Sequence, residues 1–65
     1  MGNQPSLSDY LNIIYTHPHA KQWQIQTAEQ FMLILNRDDL DNDIKKKNNE
    51  HCENFINNCK SQLKI

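Results

Sequence analysis

The residues from Leu40 to Ile65 constrain the fold most, because they follow one amphipathic helical pattern over the last two-fifths of the chain. Projected at about 100° per residue, the apolar side chains of this segment share one face. That face consists of Leu40, Ile44, Cys52, Phe55, Ile56, Cys59 and Leu63. At ~1.5 Å per residue the helix would be about 39 Å long, whereas a globule of this chain length has a radius of gyration of roughly 11 Å. We therefore expect a partner to cover part of the face.

The composition also favours self-association. The chain has 65 residues, of which 37% are apolar, so it can form one small domain with a limited core. Such chains commonly depend on disulfides, metals or oligomerisation. Cys52 and Cys59 would lie about 10.5 Å apart on a helix, beyond the roughly 7 Å that a disulfide spans between Cα atoms. We therefore expect two unpaired thiols and a homodimeric helical bundle.

The first helix has clear start and stop signals. Ser6 or Ser8 can cap it, and Pro18 ends it because the residue before a proline is disfavoured in the helical conformation. We predict this helix over 7–16, after a flexible lead at 1–6. Its apolar positions recur at helical spacing: Leu7, Tyr10, Leu11 and Ile14.

The segment after Pro18 has two interpretations. Trp23 and Ile25 alternate with glutamines, which suits a short extended segment with both apolar side chains facing inward. A helix that begins near Pro18 fits the same residues. Both alternatives stay open, and the architecture that we predict has Trp23 and Ile25 packing in the connector between the first two helices.

A second helix is predicted over 27–36. Thr27, followed by Gln30 three residues later, has the spacing of a capping box. The run 31–35 is apolar on every side of a helix, so we expect this helix to lie between the other two.

The third helix is predicted over 39–63. Aspartates crowd its start and Lys60 and Lys64 lie near its end, which suits the helix dipole. Asn48 interrupts the apolar arc. Either it is a buried polar residue that fixes the register of a coiled coil, or the helix breaks at 47–49. The predicted fold is thus all-α, with a single helical domain at 7–65.

Four carboxylates have the spacing of a calcium-binding loop: Asp39, Asp41, Asp43 and Glu50. They resemble positions 1, 3, 5 and 12 of an EF-hand, a helix-loop-helix calcium site. However, Ile44 stands where that loop needs glycine for its turn, and Lys46 stands where it usually carries an apolar residue. A helix start explains the acidic residues better, so we expect no metal and keep the calcium site as an alternative.

Catalysis has little support in the sequence. His51 and Cys52 are neighbours, and their side chains leave a helix about 100° apart, so they cannot form a base and nucleophile pair. The single glycine, Gly2, excludes a glycine-rich phosphate loop. Gly2 with Ser6 matches the myristoylation pattern, and whether Gly2 is acylated stays open. We expect no enzymatic activity, no cofactor and no small-molecule substrate.

The function expected from these features is a small regulator or adaptor that binds a protein or a second copy through an apolar helical face, and an accessory protein of a phage or plasmid is one form that it could take. The candidate contact residues are Ile13, Leu33, Ile34, Phe55 and Ile56. A DNA-associated factor that uses the Lys45–Asn49 region is the alternative, although a net charge of -1 disfavours nucleic acid. Without a signal peptide or a transmembrane segment, we expect the cytoplasm.

Overall fold

Three helices make up the computed structural model, which describes residues 5–65. They are α1 (Leu7–Thr16), α2 (Gln22–Leu35) and α3 (Asn42–Leu63), and residues 5–65 contain no strand. The predicted all-α, three-helix fold is confirmed. Gly2 and its acylation lie outside the described residues, as does most of the predicted lead. No helix in this part of the chain is long and apolar enough to cross a membrane.

A capping box sets the start of α1. The Ser6 hydroxyl accepts a hydrogen bond from the Asp9 backbone N–H at 3.3 Å, and the Asp9 carboxylate accepts one from the Ser6 N–H at 3.1 Å. Of the two predicted serines, Ser6 is therefore the cap. The helix ends at Thr16, two residues before Pro18, so the predicted bounds 7–16 are confirmed.

The start of α2 differs from the prediction. The helix begins at Gln22 instead of Thr27, and Thr27 is a half-buried residue inside it. The Gln24 side-chain oxygen accepts a hydrogen bond from the Lys21 N–H at 2.8 Å and so satisfies an unpaired donor at the helix end. Thr27 does not cap a helix, because α2 has already begun five residues earlier, at Gln22. The extended interpretation of Trp23 and Ile25 was wrong.

The third helix is continuous from Asn42 to Leu63, so it has no break at 47–49. It begins three residues later than predicted. Arg37 forms a paired hydrogen bond with Asp39, at 3.0 and 2.7 Å, in the turn before it. At the other end Lys64 adopts a left-handed conformation, with φ of 56°, and the Ile65 N–H donates to the Lys60 carbonyl at 3.2 Å.

Residues from all three helices form the core. They are Leu11 and Ile14 of α1, Ala28 of α2, and Cys52, Ile56 and Cys59 of α3. We expected α2 to lie between α1 and α3. Every pair of helices is in contact, however, so α2 does not separate the other two. The molecule is a slab of 34 × 33 × 16 Å. The chain itself therefore covers the apolar face of α3 from Cys52 onward, whereas Ile44 near the start of α3 remains 44% exposed.

Two leucines provide a matched test of this core. Leu11 is fully buried and Leu33 is 57% exposed. We expect Leu11→Ala to lower the free energy of unfolding by about 2–4 kcal/mol, because it removes buried methyl groups and leaves a cavity. Leu33→Ala should change it by less than about 0.5 kcal/mol. Urea denaturation followed by circular dichroism measures both, and equal losses would contradict the packing described here.

Candidate functional site

Three aromatic rings form a cluster along the line where α2 and α3 meet, which we call the aromatic edge: Trp23, Phe31 and Phe55. The Phe55 ring lies 6.2 Å from the Trp23 ring in an edge-on arrangement and 5.6 Å from the Phe31 ring. Both distances lie in the range of favourable aromatic pairs. Phe31 and Phe55 are half-buried, whereas Trp23 is 45% exposed. The edge thus presents a large aromatic surface on an ordered base.

The predicted contact residues have different environments. Leu33 is exposed, and Ile13, Ile34 and Phe55 are half-buried. Ile56, however, is only 3% exposed and belongs to the core. It lies about 100° further round α3 than Phe55, on the side that packs into the core, so it is not accessible to a partner in the single chain.

Trp23 is the residue that the sequence interpretation missed. The prediction placed it inside, since an alternating segment was expected to turn Trp23 and Ile25 toward the core. In the observed helix, Trp23 and Ile34 fall on the same flank of α2, within about 20° of each other at 100° per residue. Extending the helical periodicity back to Gln22 would have revealed this flank.

A cleft of about 180 Å³ lies where the end of α2 approaches the start of α3. Ile34, Leu35 and Leu40 form its apolar part. Its polar lining residues are Arg37, Asp38, Lys45, Asn48 and Asn49. Asn48 is therefore not a core residue of the single chain, and it borders a solvent-accessible groove.

One buried polar side chain, Gln24, connects the start of α2 to the end of α3. Its amide nitrogen donates to the Gln62 side-chain oxygen at 2.8 Å, while its oxygen accepts the Lys21 N–H. Gln62 in turn donates to the Asn58 side-chain oxygen at 3.1 Å. No buried side-chain nitrogen or oxygen lacks a partner in residues 5–65. Gln24 is thus tolerated in the core because its hydrogen bonds are made.

Cys52 and Cys59 are unpaired and fully buried. Burial raises the pKa of the Cys52 thiol from 9.0 to about 11, with a smaller contribution from the negative charge of Glu53. Burial also raises the pKa of Cys59, and the hydrogen bond from Gln24 partly offsets that effect. Both thiols are therefore protonated at neutral pH, and the thiol form is a poor nucleophile.

The four carboxylates of the calcium hypothesis do not lie on one loop. Asp39 and Asp41 precede α3, whereas Asp43 and Glu50 belong to the helix itself, so the loop between two helices that this hypothesis needs is not formed. Asp39 instead accepts hydrogen bonds from Arg37, and these are the main reason that the pKa of Asp39 lies below its usual value. Among the described residues, no group of three or more histidines, cysteines and acidic residues is placed to hold a metal ion.

The lysines of the DNA hypothesis lie on the first half of α3. Lys46 and Lys47 are exposed, and Lys45 is half-buried at the cleft. Near the other end of α3, the Lys60 ammonium lies 4.7 Å from the centre of the Tyr10 ring and so joins α3 to α1 through a cation–π contact.

The raised pKa of Cys52 makes stability depend on pH. The unfolded chain loses this proton near pH 9 and the folded chain only near pH 11, so the stabilisation is present below pH 9 and is lost between pH 9 and 11. We expect the free energy of unfolding to fall by up to about 2 kcal/mol more for the wild type than for Cys52→Ala between pH 8 and 10.5. Urea denaturation at both pH values measures this, and equal losses would show that Cys52 titrates normally.

Comparison with known proteins gives this chain no family. No family model, no curated protein and no solved structure matches it. Its function is therefore inferred from the aromatic edge, the cleft and the buried groups described above.

Proposed function

We propose that this chain is a small non-enzymatic adaptor or regulator that binds another protein through the aromatic edge. The observation that carries this proposal is the position of Trp23, which is 45% exposed but held against Phe55. Tryptophan is among the residues that most often dominate binding energy at protein interfaces. A tryptophan ordered before binding loses less side-chain entropy when a partner covers it.

The surroundings of Trp23 also suit a protein partner. Ile34 lies half-buried on the same flank of α2, about 16 Å further along the helix, and the exposed side chain of Gln30 lies between the two. Protein interfaces combine apolar and polar contacts of this kind. A partner that covers Trp23 would thus contact Gln30 and could extend along α2 to Ile34.

The non-enzymatic part of the proposal rests on the state of the cysteines. They are the strongest potential nucleophiles in the chain, yet both are buried and have a raised pKa. A catalytic cysteine needs the opposite: access to substrate and a lowered pKa. Unpaired thiols are also usual in a reducing compartment, which supports a cytoplasmic location as part of the proposal.

Alanine variants of two exposed aromatic residues test the binding surface. Trp23 and Tyr15 have similar exposure, 45% and 40%, but only Trp23 belongs to the aromatic edge. We expect Trp23→Ala to weaken retention of the partner at least tenfold, about 1.4 kcal/mol, because it removes the central anchor. Tyr15→Ala should leave retention unchanged. Quantitative affinity capture from host extract, followed by mass spectrometry, compares both variants with the wild type.

Circular dichroism must first show that both variants keep their helices. A partner that the wild type and Trp23→Ala retain equally would rule out the aromatic edge as its binding surface. Ile34→Asp is a second probe of the same flank and should have the same effect as Trp23→Ala.

A further inference from the structure

The cleft where the end of α2 approaches the start of α3 combines apolar side chains with unpaired charges. Its apolar part comes from Ile34, Leu35 and Leu40, which are all half-buried. These residues leave part of their apolar surface in contact with water. A small apolar group that covers this surface would be held there by the hydrophobic effect.

Lys45 supplies a positive charge to the cleft. It is half-buried near the start of α3, and Asn48 and Asn49 border the cleft from the same face of that helix, within an arc of about 100°. In the described part of the chain the one ion pair joins Arg37 to Asp39, so Lys45 is not paired there. Its ammonium and the two side-chain amides can therefore donate hydrogen bonds to a bound carboxylate.

Asp38 supplies a negative charge to the cleft. It lies in the turn between α2 and α3, it is exposed, and it has no ion pair within the described residues. Arg37 also borders the cleft, but its charge is balanced by Asp39 through two hydrogen bonds. One unpaired cation and one unpaired anion thus remain.

The charge of Lys45 reaches the turn that carries Asp38. The pKa of the neighbouring Asp39 is lowered mainly by its hydrogen bonds from Arg37, and the positive charge of Lys45 adds a smaller effect. Lys45 is therefore near this turn, yet it forms an ion pair with neither aspartate. The two unpaired charges of the cleft are close but separate, as are the two charges of a zwitterion.

The two helix ends beside the cleft add to this polarity. α2 ends at Leu35, where the last carbonyls of a helix carry a partial negative charge, and α3 begins at Asn42, where the first N–H groups carry a partial positive charge. Asp41 and Asp43, at the start of α3, do not line the cleft. The α3 side of the cleft thus favours an anionic group and the turn favours a cationic one.

The size of the cleft limits what it can hold. Its volume of about 180 Å³ equals that of about six water molecules in the liquid, at ~30 Å³ each. Pockets that enclose drug-sized ligands have roughly 300–1,000 Å³. The cleft is therefore too small for a nucleotide but has room for a small organic molecule.

We propose that this cleft binds a free α-amino acid with an aliphatic side chain, such as leucine. The carboxylate of the ligand would bind Lys45 and the asparagine amides, its ammonium would bind Asp38, and its side chain would cover the apolar residues. The amino acid is bound and released unchanged. This inference goes beyond the proposed adaptor function, and it does not depend on the aromatic edge.

Other small ligands use the cleft less completely. A fatty acid would leave Asp38 unpaired beside a second carboxylate, and an alkyl amine would place its ammonium in a cleft that already contains Lys45. A sugar has no apolar group to cover Ile34 and Leu40. An aliphatic amino acid satisfies both charges and the apolar part together.

Titration of the full chain with L-leucine up to about 50 mM, followed by NMR of the backbone amides, tests the site. We expect saturable shifts at Lys45, Asn48 and Asn49, with a Kd of about 1 mM. Glycine, which lacks the side chain, should give no saturable shift. Leucine without its ammonium, 4-methylpentanoate, and leucine without its carboxylate, 3-methylbutylamine, should each bind with a Kd at least about threefold higher.

Two variants assign the two charges. Lys45→Gln should raise the Kd at least about threefold for leucine and 4-methylpentanoate, but not for 3-methylbutylamine. Asp38→Asn should do so for leucine and 3-methylbutylamine, but not for 4-methylpentanoate. Lys46→Gln is the matched control, since Lys46 is exposed on α3 and does not line the cleft, and it should leave all three Kd values unchanged. Unchanged amide signals around Leu11 show that each variant keeps its core.

The contrary outcomes are distinct. Shifts that do not saturate, or that spread over the whole chain, would overturn the site. Equal binding of leucine and both analogues would overturn the amino acid as the ligand. Equal effects of Lys45→Gln and Lys46→Gln would overturn the cleft as its location. None of these results bears on the aromatic edge, which the capture experiment with Trp23→Ala tests separately.

Discussion

The close packing of two short helices against the second half of α3 holds this structure together. The core combines three small side chains, Ala28, Cys52 and Cys59, with the larger Leu11, Ile14 and Ile56. A chain with so little apolar material cannot surround a helix of 22 residues completely. The helices therefore cover one end of α3 well and leave the other end with its apolar positions in solvent.

A polar residue completes this packing. Gln24 occupies the core where the start of α2 meets the end of α3, and its amide is hydrogen-bonded on both sides. An apolar residue of the same size would leave the Lys21 N–H without its partner. The same side chain thus starts a helix and fixes how two helices meet, so the local and the long-range structure agree at this position.

The sequence predicts those elements whose signals are local. The bounds of α1 follow from Ser6 and Pro18, and the existence of α3 follows from its long periodic pattern. The start of α2 was missed because Gln24 caps it by accepting a hydrogen bond from the Lys21 N–H, which is not a familiar sequence signal. Thr27 with Gln30, by contrast, has the familiar spacing of a capping box. Contact residues were harder still. Which side of α3 faces solvent depends on how the helices cross, and periodicity alone does not specify that crossing.

The thinness of the slab has a consequence for regulation. The molecule is only 16 Å thick in its shortest dimension, and Phe55 of the aromatic edge is the neighbour along α3 of the buried Ile56. Any molecule that binds only the folded chain raises its melting temperature by mass action. In a domain this small, binding at the aromatic edge and folding of the chain are thermodynamically coupled. The abundance of the chain in a cell would then follow the supply of whatever binds it.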